Sequence, residues 1–301
     1  MTNISRHSRA GARLRHGFTL VEMVITLTIL GIISAGLIKL LRVQARFSES
    51  QMALRSARTV SRNAMNIMLT DLRMVQDKGG LIAASSDSIT VRIPLAFGLV
   101  CSTVGSTTLS LLPVDSAMAA MGVYAGLAVR DSATGEYSYT PSAMPLPVNS
   151  LTPGVATTCA TAGIDSVKYG TRTTRIVALS DMPSGPSNVG WPAFIYQVVT
   201  YKFASSSAFP TRRGLWRLVK TSNPTGPVSD EIIAPFDATA KFRYYVLNAD
   251  EAQDAVPANL NDVRGIELVL AGSSPQKFSD NEQAKRATMV TGVFFKNRRD
   301  P

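Results

Sequence analysis

The sequence predicts an α+β fold: a long amino-terminal α-helix, membrane-spanning in its first half, packed by its second half on an antiparallel β-sheet domain. Three observations predict it. Residues 18–41 read FTLVEMVITLTILGIISAGLIKLL, an apolar run in which Glu22 is the only charged side chain before Lys39. Residues 42–78 contain neither proline nor glycine and carry an apolar stripe at helical spacing. The last third alternates runs rich in aromatic and β-branched residues with turn-forming residues, the pattern of strands.

The first element is a polar leader, residues 1–17, with Arg6, Arg9, Arg13 and Arg15 and no acid. Next comes the span, residues 18–41. About 20 predominantly apolar residues cross a hydrocarbon core as a helix, and positive flanking charge stays on the cytoplasmic side. The leader is therefore expected inside and the bulk of the chain outside; Lys39, Arg42 and Arg46 weaken that asymmetry without reversing it. A solitary acid in such a segment is costly unless paired, so Glu22 is the first residue that demands an explanation.

The helix is expected to continue through residues 42–78, with Gly79-Gly80 as its stop. From Phe18 to Lys78 it would measure roughly 90 Å at 1.5 Å per residue, with Gly31 and Gly36 as its weakest points. Val60, Ala64, Ile67, Met68, Leu72 and Val75 form the stripe. It serves either neighbouring subunits or the chain's own sheet, and an amphipathic helix usually buries its apolar face at home. Arg55, Arg58, Arg62 and Arg73 lie away from it, a face for solvent or for phosphates.

Residues 79–301 are expected to form the β-rich domain. A first strand is read at Ser88–Ile93, ended by Pro94. Leu99 to Ser187 reads as an insertion of loops and short strands. Further strands are expected at Phe194–Phe203, Leu215–Lys220, Glu231–Ile233, Lys241–Leu247, Val263–Leu270 and Thr288–Lys296, the first two as a hairpin. Residues 298–301 read as a frayed tail.

Gly17-Phe18-Thr19-Leu20-Val21-Glu22, set at the head of the span, resembles the processing site of type IV prepilins and type II secretion pseudopilins. The resemblance implies that a membrane-embedded prepilin peptidase cuts between Gly17 and Phe18 and methylates the amino group of Phe18. It also implies that Glu22 is the acid used in assembly. The leader is removed ahead of the apolar run, which stays in the mature protein, unlike a secretory signal. Glu22 would then sit in the first helical turn, favoured by the helix dipole, and pair with an amino terminus, its own or a neighbour's. The alternative is an acid tolerated among the headgroups.

Later segments resemble PilW-type minor pilins and J-type minor pseudopilins: the strand Tyr196–Tyr201, Leu215-Trp216-Arg217, Ile232–Phe236 leading to Phe242–Tyr245, and Asn261–Leu268. The long insertion departs from a compact member. The implied function is structural, a minor subunit that primes or caps a type IV pilus-like filament. A minor pseudopilin of type II secretion and a DNA-uptake pilus subunit are the neighbouring readings. The implied partners are other pilins or pseudopilins through the helix, prepilin peptidase, an inner-membrane assembly platform and membrane lipids. DNA is a further possible partner, favoured slightly by the basic charge. The place is the cytoplasmic membrane, single-pass, with the carboxy-terminal domain outside, and then a filament.

Composition bears on chemistry. The 301 residues carry a formal charge of +10; the leader holds four of those charges, leaving the mature product at +6. Both histidines, His7 and His16, lie in the leader. A mature form therefore lacks Ser-His-Asp and Cys-His systems and histidine-rich zinc sites, and no acid pair supports carboxylate chemistry. No catalytic residue, metal site or cofactor is expected, and a membrane-anchored secreted enzyme is disfavoured. Asn248–Asp254 gathers oxygen ligands but lacks the alternation, glycine and terminal glutamate of an EF-hand; it reads as a solvated turn, with calcium as the lesser alternative. Cys101 and Cys159 are the only cysteines. Outside the cytoplasm they are free to join, closing a loop worth about 4 kcal/mol in the chain-entropy treatment; the alternative is two separately buried thiols.

Overall fold

The computed structural model describes residues 19–104, 108–113, 125–131, 134–139, 151–153, 175–178, 190–220, 228–277 and 284–295. It divides into two compact units, Met1–Gln51 and Met52–Pro301. One helix, α1 (Leu20–Leu72), supplies the whole described part of the first unit beyond Thr19 and enters the second. An α+β architecture is thus what the chain adopts.

Within the first unit, every described residue from Thr19 to Glu49 is exposed except the half-buried Ser34. The apolar composition runs all round the helix, so no single face is selected for burial. The helix is continuous through Gly31 and Gly36.

In the second unit the described residues form one antiparallel sheet. Its strands are β1 (Leu81–Ala84), β2 (Ser88–Val104), β3 (Thr108–Pro113), β4 (Gly126–Arg130), β5 (Tyr137–Tyr139), β6 (Leu151–Pro153) and β7 (Arg175–Ala178). They continue with β8 (Pro192–Ser205), β9 (Arg213–Lys220), β10 (Val228–Phe236), β11 (Lys241–Val246), β12 (Val263–Lys277) and β13 (Ala284–Phe294). The path of pairing is β11-β12-β10-β9-β8-β2-β3-β7-β6, with β1 on β2, β13 on β12, and β4 and β5 added beside β8. β8 and β9 are the expected hairpin, in register from Val198↔Lys220 to Ser205↔Arg213. The sheet curls until β11 meets the β1–β2 turn: Phe242 N donates to Ser86 O at 2.8 Å, and Tyr244 Oη to Ser85 O at 2.6 Å.

Two expectations require correction. Ser88–Ile93 is not the first strand, since β1 precedes it, and Pro94 does not end it. β2 passes through Pro94, where the register with β8 shifts between Pro94 and Ala96. Proline lacks an N–H for the ladder, and an irregularity of this kind is where a strand accommodates it. The helix, in turn, stops at Leu72 rather than Lys78. Met74 N donates to Asp71 O at 3.1 Å and Val75 N to Leu72 O at 3.2 Å, tightening the chain out of the helix. Val75 then enters the core fully buried. Gly79-Gly80 serves the next turn instead. Gly79 has φ +70°, and its N–H donates to Asn261 Oδ1 at 3.0 Å. A Cβ on Gly80 would lie 2.1 Å from Gln76 O.

The core explains the apolar stripe. Ala53, Ala57, Ser61, Ala64, Met68 and Leu72 are the buried residues of α1, spaced by three or four, and Ala64, Met68 and Leu72 join one cluster with the sheet. At its centre Phe203 meets Phe236 edge-on at 5.3 Å and Phe242 tilted at 5.2 Å. The stripe therefore packs on the chain's own sheet, while Arg55, Arg58, Arg62 and Arg73 face solvent. The crossing is close where small residues meet. Gly272 of β12 donates its N–H to Ser61 Oγ at 3.0 Å. That hydroxyl lies 3.0 Å from Leu270 O and 3.1 Å from Ala287 O.

Candidate assembly site on the amino-terminal helix

The start of α1 is capped from within. Thr19 Oγ1 accepts from Glu22 N at 3.3 Å, and Met23 N donates to Thr19 O at 3.2 Å. Thr19 is thus the N-cap and Glu22 the third helical residue, the Thr-x-x-Glu spacing of a capping box. An anion in this first turn is favoured by the positive end of the helix dipole. Glu22 is exposed, and among the described residues no cation approaches it within ion-pair distance. Gly17 and Phe18 lie outside the described residues, as do His7 and His16.

Beyond the cap the helix presents a continuous apolar surface. Leu20 is 80% exposed and Ile32 74%. Its most apolar 18-residue window is long and apolar enough to cross a membrane, and none of that window is buried against the chain itself. A helix apolar on every side requires an apolar surround. The span's polar hydroxyls are compatible with one. Thr26 Oγ1 donates to Met23 O at 2.9 Å and Thr28 Oγ1 to Ile25 O at 2.8 Å. Bonds inside the same helix satisfy these two hydroxyl donors without water.

The carboxyl end of α1 is anchored differently. Tyr201 Oη donates to Asp71 Oδ2, and Arg217 approaches both, Nη2 to Asp71 Oδ2 at 3.3 Å and Nε to Tyr201 Oη at 3.3 Å. Burial, then the adjacent Asp71 charge, pushes the Tyr201 phenol above its ordinary range. Sequence reading missed this network and the Ser61–Gly272 contact, because their partners lie far apart along the chain. The Thr19 cap, by contrast, was open to discovery from its spacing to Glu22.

The remaining expected features separate. Asp254 of the 248–254 turn pairs with Lys241 at 2.6 Å and Arg243 at 3.4 Å, and Asp250 lies 3.9 Å from Arg264. The hydrogen bond from Lys241 is the largest effect on Asp254 and holds its carboxyl below the usual range. Among the described residues no group of three His, Cys, Asp or Glu side chains is placed to hold a metal ion. Cys101 is buried; Cys159 lies outside the described residues.

Comparison with known proteins agrees with the amino-terminal geometry. Residues 12–38 match the family model described as the prokaryotic N-terminal methylation motif. The matched stretch spans the Gly17-Phe18 junction, the Thr19 cap, Glu22 and most of the apolar run. A motif of this kind indicates a type IV pilin-like or pseudopilin-like precursor, and the match is confined to this amino-terminal stretch. No curated protein and no solved structure matches the chain.

Proposed function

We propose that this chain is a structural, non-enzymatic minor subunit of a type IV pilus-like filament, one that primes or caps assembly after its leader is removed. The observation that carries the proposal is the uncovered apolar half of α1, directly following the cap within the matched motif. Such a helix is at home in lipid before assembly and among equivalent helices afterwards. Prepilin peptidase would cut between Gly17 and Phe18 and methylate Phe18. Residues 18–41 would span the cytoplasmic membrane, with the sheet domain outside. Other pilins or pseudopilins would be the partners, reached through an inner-membrane assembly platform.

Glu22 has the central part. Thr19 and the dipole hold it at the helix start, where an ammonium group is its natural counter-ion. When the helix leaves the membrane for a bundle of like helices, that ammonium is the amino terminus of a neighbour or its own. Left unpaired in an apolar bundle, the carboxylate would carry a desolvation cost that a partnering ammonium offsets.

Two measurements test the proposal. Mass spectrometry of the native protein should give a terminus at methylated Phe18; a terminus at Met1 in cells with active peptidase would remove the foundation. Glu22→Ala should insert in the membrane at native levels and be depleted at least several-fold from sheared filaments. Equal incorporation would dismiss the role given to Glu22.

A further inference from the structure

Away from α1, the β8–β9 turn, the β10–β11 turn and strands β12 and β13 border an open cleft of about 470 Å3. Arg212, Arg213 and Arg286 line it, with Asp237 as the carboxylate among its described lining residues. These charges are not equally engaged. Arg213 is fully used by the frame: it pairs with Asp87 at 2.8 Å and donates to the carbonyls of Phe203, Ala238 and Ala240. Asp237 pairs with Arg286 Nε at 3.1 Å and accepts from Thr239 N and Oγ1.

Arg212 is held by neutral groups. Its Nη1 donates to Ser273 Oγ at 2.9 Å and to Ser274 O. Among the described residues no carboxylate lies within ion-pair distance of it, and none of them accepts from its Nε or Nη2. Arg286 likewise has one nitrogen, Nε, on Asp237 and both Nη groups unengaged by described residues. The two guanidinium groups also feel each other. Burial lowers the Arg212 pKa most, and repulsion from Arg286 adds to it against the attraction of Asp237. A concave site with two tethered guanidinium groups and one carboxylate is short of negative charge.

We propose that this cleft binds a single oxyanion group, a carboxylate or a phosphate monoester, between Arg212 and Arg286. Each guanidinium is fixed to the sheet through one nitrogen, so its planar fork is already oriented for a two-oxygen acceptor. The oxyanion supplies the missing charge and accepts from the unused N–H groups. A nucleic-acid backbone is the poorer fit, since it needs cations repeated along a track; here two stand in one cleft. The site does not depend on the filament reading, and either can fail without the other.

The test is calorimetric titration of the full chain in zwitterionic detergent micelles with inorganic phosphate, and separately with N-acetylglutamate, at an ionic strength fixed by chloride. Saturable one-to-one binding is expected, weakened about tenfold or more in Arg212→Gln, as loss of a charge-assisted pair implies. Arg286→Lys keeps the charge without the fork and should bind more weakly than the native chain. Arg58→Gln, on the solvent face of α1, should bind as the native chain does. Urea midpoints must rise with the anion in the native chain and not in Arg212→Gln, which separates lost binding from lost folding. Binding of phosphate alone assigns a phosphate monoester; binding of N-acetylglutamate alone assigns a protein-type carboxylate. No saturable binding of either anion, undiminished binding by Arg212→Gln, or binding confined to duplex DNA would overturn the proposal.

Discussion

Gly272→Ala is the sharpest probe of how α1 is seated on the sheet. A Cβ at this position would stand 2.2 Å from Ala57 O, 2.5 Å from Ser61 Oγ and 3.2 Å from Ala57 C. The nearest obstacle is helix backbone, so no rotamer change relieves it and truncating Ala57 would not help. The helix must move away, which stretches the bond from Gly272 N to Ser61 Oγ and the fully buried hydroxyl's contacts to Leu270 O and Ala287 O. Overpacking costs about 1–3 kcal/mol and weakening two buried hydrogen bonds about 1–2 more, against under 1 kcal/mol regained from a stiffer unfolded chain. A net loss of about 2–4 kcal/mol follows, or roughly 1 M in urea midpoint at a slope of 2–3 kcal/mol/M. The assay is urea unfolding of the full chain in micelles, followed by tryptophan fluorescence, with Gly31→Ala as control because nothing lies within 4 Å of its added Cβ. A Gly272→Ala midpoint within experimental error of the native one would refute a close helix–sheet crossing.

Four further outcomes are expected. Asp71→Asn breaks the pairing with Arg217 and Tyr201 at the helix end and should destabilise the sheet unit by about 1–3 kcal/mol. Tyr201→Phe should then add little in the Asp71→Asn background, as a double-mutant cycle would show. Burial alone would raise the Glu231 pKa, but hydrogen bonds from Ser206 and Ser207 outweigh it and hold the carboxyl below its ordinary range. Its contribution is therefore complete above the unfolded-chain pKa and is lost as pH falls through the folded one. Glu231→Gln should flatten the acid limb of stability against pH below about pH 5, and an unchanged limb would count against that role. We propose that Cys101 pairs with Cys159; thiol labelling of the denatured, unreduced native protein should find no free thiol, and two reactive thiols would exclude the bridge.

Much of the fold was legible because its signals are local. The period of apolar residues in α1 identified the buried stripe, and Ala64, Met68 and Leu72 are buried as that period required. Runs of aromatic and β-branched residues located β8, β9, β11 and β12, and in β11 Phe242 and Tyr244 alternate with half-buried neighbours. Errors arose where tertiary contacts overrule local preference. Pro94 reads as a stop, yet β8 runs alongside and absorbs it at a register shift. Lys78 reads as the helix end, yet the Asp71 network and the burial of Val75 turn the chain earlier. At the candidate site, Glu22 was evident from its isolation in an apolar run, whereas its cap on Thr19 required noticing a three-residue spacing.

By itself, the order of residues determined that one segment is too apolar to rest in water, where its single acid stands, and which stretches favour helix or strand. Those properties depend on a residue and its near neighbours. Only the tertiary structure decided that Ser61 reaches Gly272, that Tyr201 and Arg217 close on Asp71, and that Arg212 and Arg286 share one cleft. Hydrogen bonds and charges act over a few ångströms, so groups far apart in sequence acquire them only after the chain has folded.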